Sequence, residues 1–155
     1  MERILVVDDD EAVLNHISRA LRVEGYVVDA ANTGRKAIEY SERSFYNLAL
    51  IDIRLPDMEG TNLLTALKET TPKMIKIMLT GYPALQNAIE AVNKGADAYI
   101  TKPVKMEELI KTVREQLRKQ QQEMIYSQAK VAEYIQTRAK ELEAKEEDFS
   151  EKKKT

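Results

Sequence analysis

Leu48-Ala49-Leu50-Ile51-Asp52 decides the fold: four consecutive apolar residues closed by a carboxylate. A short, unbroken apolar run reads as a strand buried on both faces, as in a parallel sheet covered by helices. Outward from it, comparable runs recur at Ile4-Leu5-Val6-Val7, Val27-Val28, Met74-Ile75-Lys76-Ile77-Met78-Leu79 and Asp97-Ala98-Tyr99-Ile100. Between the runs the apolar period becomes helical. Leu14, Ile17 and Leu21 fall three and four apart and stop at Gly25, while Leu85, Ala88, Ile89 and Val92 repeat the pattern and stop at Gly95. Both glycines fit helix C-caps. Weaker helical patterns cover 34–44, after Asn32-Thr33 as cap, and 62–69; a fifth helix begins near Lys105.

Strands alternating with helices imply a parallel sheet with right-handed crossovers, because only that hand packs a helix back onto the sheet. The expected fold is α/β: a flavodoxin-like, doubly wound, five-stranded parallel sheet of order 2-1-3-4-5 with an extended C-terminal helix. In such folds ligands bind beyond the C-terminal strand ends, where the strand order reverses.

Composition narrows the function. The 155 residues suffice for one ordinary domain. With 24 basic and 26 acidic side chains there is no cationic footprint of a nucleic-acid binder. Without Cys and with His16 alone, neither disulfides nor a multi-histidine zinc site can form, so any metal must be held by oxygen. No segment approaches twenty apolar residues, which points to a cytoplasmic protein with no membrane partner.

All glycines and prolines lie at or before Pro103. Beyond it, apolar residues recur at Leu109, Ile110, Val113, Leu117, Met124, Val131, Ile135, Ala139 and Leu142. One helix from Lys105 to about Asp148 would run on the order of 65 Å, roughly twice the width of so small a domain, so its far half is expected to protrude. The division expected is a domain over 1–120 and a helical extension over 121–155, frayed from Glu151. Gln120, Gln121 and Gln128 interrupt the apolar stripe, which suits a weak helix pair, such as a homodimer or signalling linker; the alternative is a solvated charged tail. Without a turn between short helices or a basic face, this segment is not expected to bind nucleic acid directly.

The strands expected to end at the crevice hand over to polar chemistry: Asp8-Asp9-Asp10, Asp52, Thr80 and Lys102-Pro103. Singly, each has an ordinary explanation as a helix cap or a solvated surface charge. Together they point further, because strands 1 and 3 should be neighbours, which brings Asp8, Asp9 and Asp52 together. Carboxylates about 5 Å apart repel by roughly 3 kcal/mol per pair at an effective dielectric near 20. A divalent cation would offset this; all-oxygen ligands favour Mg2+ or Mn2+, with the Arg54 main-chain carbonyl as a further ligand. Such a site could draw in a phosphoryl group and spread its charge onto the ion, Lys102 and the Thr80 hydroxyl. Asp52, ending a central apolar strand, is placed to be the nucleophile.

At these residues the chain resembles the receiver domains of two-component response regulators, notably those of nitrogen-regulation-type activators. Val6-Val7-Asp8-Asp9 is similar to the family's acidic pair, and Asp52-Ile53-Arg54-Leu55-Pro56-Asp57-Met58-Glu59-Gly60 to its phosphoacceptor segment. Leu79-Thr80-Gly81 is similar to its switch segment, and Tyr99-Ile100-Thr101-Lys102-Pro103 to its aromatic, lysine and cis-proline segment. The resemblance spans about 2–120 and implies phosphorylation of Asp52 by a histidine kinase or a small phosphodonor. It implies Mg2+ held by Asp9, Asp52 and the Arg54 carbonyl, with Asp8 acting through water and Lys102 on the phosphoryl oxygens. It implies too that Thr80 moves toward the phosphoryl group and Tyr99 turns inward, altering the surface from residue 83 through the start of the last helix for a downstream effector. Arg54 and Tyr82 would tune the lifetime, and Pro103 would be structural.

Alternatives follow from single residues. Tyr99 on an edge strand could instead be half-buried with its hydroxyl at the surface. His16 reads as structural or surface, Asp10 as a helix cap, and Asp57 and Glu59 as shaping a loop. A haloacid-dehalogenase-like phosphatase would want an acid where Arg54 stands, and a flavin carrier a phosphate loop where the acidic run stands. The expectation is therefore a signalling phosphoacceptor, with only self-directed phosphoryl transfer and autodephosphorylation, and not an enzyme. A second expectation is the receiver and linker of a larger transcription activator.

Overall fold

Strand and helix alternate without exception along the chain: β1 (Arg3–Val7), α1 (Glu11–Val23), β2 (Val27–Ala31), α2 (Gly34–Arg43), β3 (Leu48–Asp52), α3 (Gly60–Ala66), β4 (Ile75–Thr80), α4 (Leu85–Asn93), β5 (Ala98–Thr101) and α5 (Met106–Lys154). This is seen in a computed structural model, which describes residues 1–81 and 85–154. All strands are parallel, in the order β2-β1-β3-β4-β5. The chain thus has the expected doubly wound, flavodoxin-like sheet.

The period of two along each strand sorts its side chains into two cores. Ile4, Val6, Leu48, Leu50, Ile77 and Leu79 pack with Leu14 and Ile17 of α1 and Leu109 and Val113 of α5. Leu5, Val7, Ala49, Ile51 and Met78 pack on the other face with Ala37 of α2, Leu63 and Leu64 of α3 and Ala91 of α4. Central β3 is buried at all five positions, which is why its sequence shows no alternation. Edge strand β2 runs three residues past Val28 through Asp29, whose carboxylate accepts from the Tyr46 hydroxyl at 2.6 Å and pairs with Arg3 at 3.2 Å.

Helix ends follow the local chemistry. Asp10 caps α1, accepting from the amides of Ala12 and Val13, and Thr33 caps α2 through the Lys36 amide. After α1 and α4, Gly25 and Gly95 adopt φ of +96° and +101°, the left-handed conformation that a side chain disfavours. Helix α3, Gly60–Ala66, departs from its expected range of 62–69. Leu67 is buried but already extended, so the apolar spacing overran the helix that precedes it.

The chain forms two units, of which the first is Met1–Gln120 and the second begins at Gln121. Gln120 closes the first: its buried amide donates to the carbonyls of Asn47 and Lys73 at 3.0 and 2.8 Å and accepts from Asn47 at 3.2 Å. In the second unit α5 continues past Glu151, where fraying was expected, to Lys154, with residues 121–151 exposed and local contacts such as Arg138 to Glu141 at 3.1 Å. Among the described residues, no helix is long and apolar enough to cross a membrane.

Candidate functional site

Val7 of β1 lies opposite Ile51 of β3 in the parallel ladder, so the next residues, Asp8 and Asp52, reach the C-terminal edge of the sheet together. Carboxylate oxygens of Asp8, Asp9 and Asp52 lie within 4.8 Å of one another. Asp8 is fully buried, Asp52 is 8% exposed, and Asp9 is exposed. One oxygen of Asp8 accepts from the Asp10 amide at 2.9 Å, so the turn that opens α1 also fixes this carboxylate.

Lys102 arrives from the other side. It follows β5, its amide donates to the Thr80 carbonyl at 2.6 Å, and its peptide bond to Pro103 is cis. Its Nζ donates to Asp8 at 2.8 Å and lies 3.5 Å from Asp52. Burial alone would lower the Lys102 pKa, but the bond to Asp8 and the charges of Asp8 and Asp52 outweigh it and raise it, so the cation is held. Burial, then the Asp8 charge, push the Asp52 carboxyl up to about 6, against the lowering influence of Lys102 and the Arg54 amide.

One ammonium among three carboxylates leaves the cluster under-neutralised. Hard, all-oxygen donors with an exposed member on the solvent side fit a magnesium-like cation that keeps some of its water. Gly60 completes the cradle: its amide donates to the Ile53 carbonyl at 2.7 Å, and a Cβ there would overlap the Asp52 carbonyl oxygen. The close approach requires glycine.

The remaining sequence candidates fall as follows. Thr80 is fully buried at the end of β4, one residue beyond the partner of Asp52 and opposite Thr101. The Tyr99 hydroxyl is enclosed and has no hydrogen-bond partner among the described residues, which departs from the surface-hydroxyl alternative. The backbones of Arg54 and Glu59 form an isolated antiparallel β-bridge across the loop. Tyr82 and Pro83 lie outside the described residues. His16 is exposed on α1. Asp57 does more than shape its loop: its carboxylate accepts from the amides of Gly34 and Arg35, both at 2.9 Å, and these bonds hold its pKa below the ordinary value. No local pattern announces that pairing, and the amides of a helix start were its only sequence signal.

Residues 4–114 match the family of response regulator receiver domains. The chain belongs to this family. It is a receiver domain of the two-component response regulators, a signalling module and not a classical enzyme. Among curated relatives, this receiver is 34% identical over 116 residues to the probable transcriptional regulatory protein TcrX of Mycobacterium tuberculosis, covering 75% of the chain and 50% of TcrX. The chain spans about half the length of the curated relatives it matches. Among solved structures, the CheY-like receiver of Methanospirillum hungatei JF-1 is 47% identical with a TM-score of 0.76, covering 79% of this chain and 98% of that one. The beryllofluoride-activated NtrC4 receiver domain dimer is 32% identical with a TM-score of 0.72, covering 77% and 99%.

Proposed function

We propose that Asp52 accepts a phosphoryl group from a histidine kinase, or from a small phosphodonor, in a magnesium-dependent reaction. The observation that carries this is the convergence of Asp8, Asp9 and Asp52 within 4.8 Å, with the Lys102 ammonium against Asp8 and Asp52. In the transfer an Asp52 carboxylate oxygen attacks phosphorus, the phosphorus–nitrogen bond of phosphohistidine breaks, and its electron pair stays on the imidazole. Held by Asp9, Asp52 and the Arg54 carbonyl, with Asp8 acting through water, a magnesium or manganese ion would neutralise charge on the transferring oxygens. Lys102 binds the same oxygens from the β5 side, and water later returns the carboxylate by autodephosphorylation, at a rate Arg54 and Tyr82 tune.

Output follows from the charge added. A group of about −2 at Asp52 draws the Thr80 hydroxyl toward it, and Tyr99 fills the space on β5. The changed surface then meets an effector, and the helix beyond 120 pairs two copies. A cytoplasmic location fits a kinase partner of this kind.

The test is incubation with magnesium and acetyl phosphate. One acid-labile phosphate should appear on wild type and none on Asp52→Asn or in EDTA. An Asp52→Asn protein that still takes up phosphate would sink the assignment.

The length of the curated relatives favours a second reading, in which the chain is the receiver and signalling linker of a longer transcription activator. Sequencing through the intact reading frame tests it: an ATPase or DNA-binding domain continuing the frame is expected, and a stop codon directly after Thr155 rejects it.

A further inference from the structure

At the end of β4 remote from Thr80, a cavity of about 400 Å3 opens beneath α3 and the turn after α4. Lys68, Lys73, Lys76 and Lys94 line it, with Glu69 the one acid among its lining residues. Lys94 is already committed, to Glu90 at 3.1 Å and to the Asn62 side chain at 2.9 Å. Lys76 is different. It interrupts the apolar run of a central strand, is only 8% exposed, and its ammonium donates to the Leu64 carbonyl. The nearby Asp97 carboxylate bonds to the Lys76 backbone amide instead, at 2.9 Å, and Lys76 forms no ion pair among the described residues. A buried ammonium held by one neutral acceptor keeps two N–H donors for something else. Burial and the adjacent Lys73 accordingly pull its pKa below the ordinary lysine value, although Asp97 and Glu69 oppose this.

We propose that this cavity binds a small phosphate-bearing anion, with Lys76 as its buried anchor and Lys68 and Lys73 closing on it from the rim. Charge favours an anion: with Lys94 paired, the ammoniums of Lys68, Lys73 and Lys76 still outnumber the carboxylates of Glu69, in the lining, and Asp97, beside Lys76. Shape agrees, because phosphate offers several acceptor oxygens to donors arriving from the strand floor and from the loop. The volume falls in the range of about 300 to 1,000 Å3 typical of ligand sites, and Leu64, Leu67 and Met74 provide an apolar wall for an organic stem. The acidic cluster at Asp52 lies at the opposite end of the sheet and repels the same ligand when metal-free.

The test uses the full chain, 15N-labelled, in EDTA, titrated with inorganic phosphate and, at matched ionic strength, with acetate. Saturable shifts of the Leu64, Lys76 and Gly95 amides are expected with phosphate but not with acetate, and undiminished in Asp52→Asn. Lys76→Met should abolish saturation. The surface double variant Lys68→Ala/Lys73→Ala, which leaves the core untouched, should bind at least about tenfold more weakly. Absence of saturation at millimolar phosphate, an equal response to acetate, loss of saturation in Asp52→Asn, or unchanged binding by the double variant would each overturn the proposal.

Discussion

Lys102 Nζ is 2.8 Å from Asp8 and 3.5 Å from Asp52, so the ammonium is shared unequally, and Asp52 bears the deficit. Its carboxyl, raised to about 6 first by burial and then by Asp8, holds its proton more tightly in the fold than in the unfolded chain, where 3.8 is ordinary. The stability tied to this proton is complete below about 3.8 and is lost as pH rises through about 6. At neutral pH the metal-free protein carries the full penalty, on the order of 3 kcal/mol as an upper bound. Asp52→Asn should therefore be more stable than wild type in EDTA at neutral pH, by about 1–3 kcal/mol in urea unfolding, with the gain vanishing near pH 4. Magnesium should close the gap by stabilising wild type alone, as binding to the folded state requires. A gap that persists unchanged at pH 4 would mean that the charge at Asp52 is not its cause.

At the scale of elements, the central strands were readable because burial on both faces leaves an uninterrupted apolar run, as in β3, and the site was readable because its residues follow such runs directly. β2 was half hidden. Asp29 breaks its pattern, and only the pairing with Tyr46 and Arg3, which comes from other elements, makes that charge acceptable there. Asp57 and Gln120 were illegible in the same way, since their partners lie 22–23 and 47–73 residues away and no period in the chain connects them. Lys76 stood in plain view inside an apolar run, yet its setting among other lysines depends on where the α3–β4 loop folds. Gln120 tests whether such unpredicted ties matter. Its amide satisfies the Asn47 and Lys73 carbonyls at the N-terminal edge of the sheet and ends the part of α5 that packs on the core. Gln120→Ala should cost about 1–3 kcal/mol in urea unfolding, because the Lys73 carbonyl loses its donor and the Asn47 side-chain amide its acceptor, while the Asn47 carbonyl keeps only the Ile75 amide. A loss under about 0.5 kcal/mol, the scale of an ordinary surface substitution, would show that water replaces the amide freely.

For the whole molecule, the question is what an exposed helix gains from its length. Beyond Gln120, Met124, Val131, Ile135, Leu142 and Phe149 are 39–61% exposed and fall seven, four, seven and seven residues apart, close to the 3.5-residue period of a helix seam. Tertiary packing of an apolar face supplies most helical stability in proteins, and a second copy of this chain can supply it here. The same seam carries Gln121, Gln128, Arg138 and Lys145 at intervening positions, which weakens any pair and leaves it responsive to an added contact. Both cores, by contrast, lie entirely within Met1–Gln120. The full chain should form a concentration-dependent dimer in sedimentation, and a chain ending at Gln120 should lose it while still unfolding cooperatively with a midpoint near that of the full chain. Beryllofluoride should shift the full-length equilibrium more than that of the truncated chain. If both chains sediment as monomers with and without it, the extension does not pair receivers.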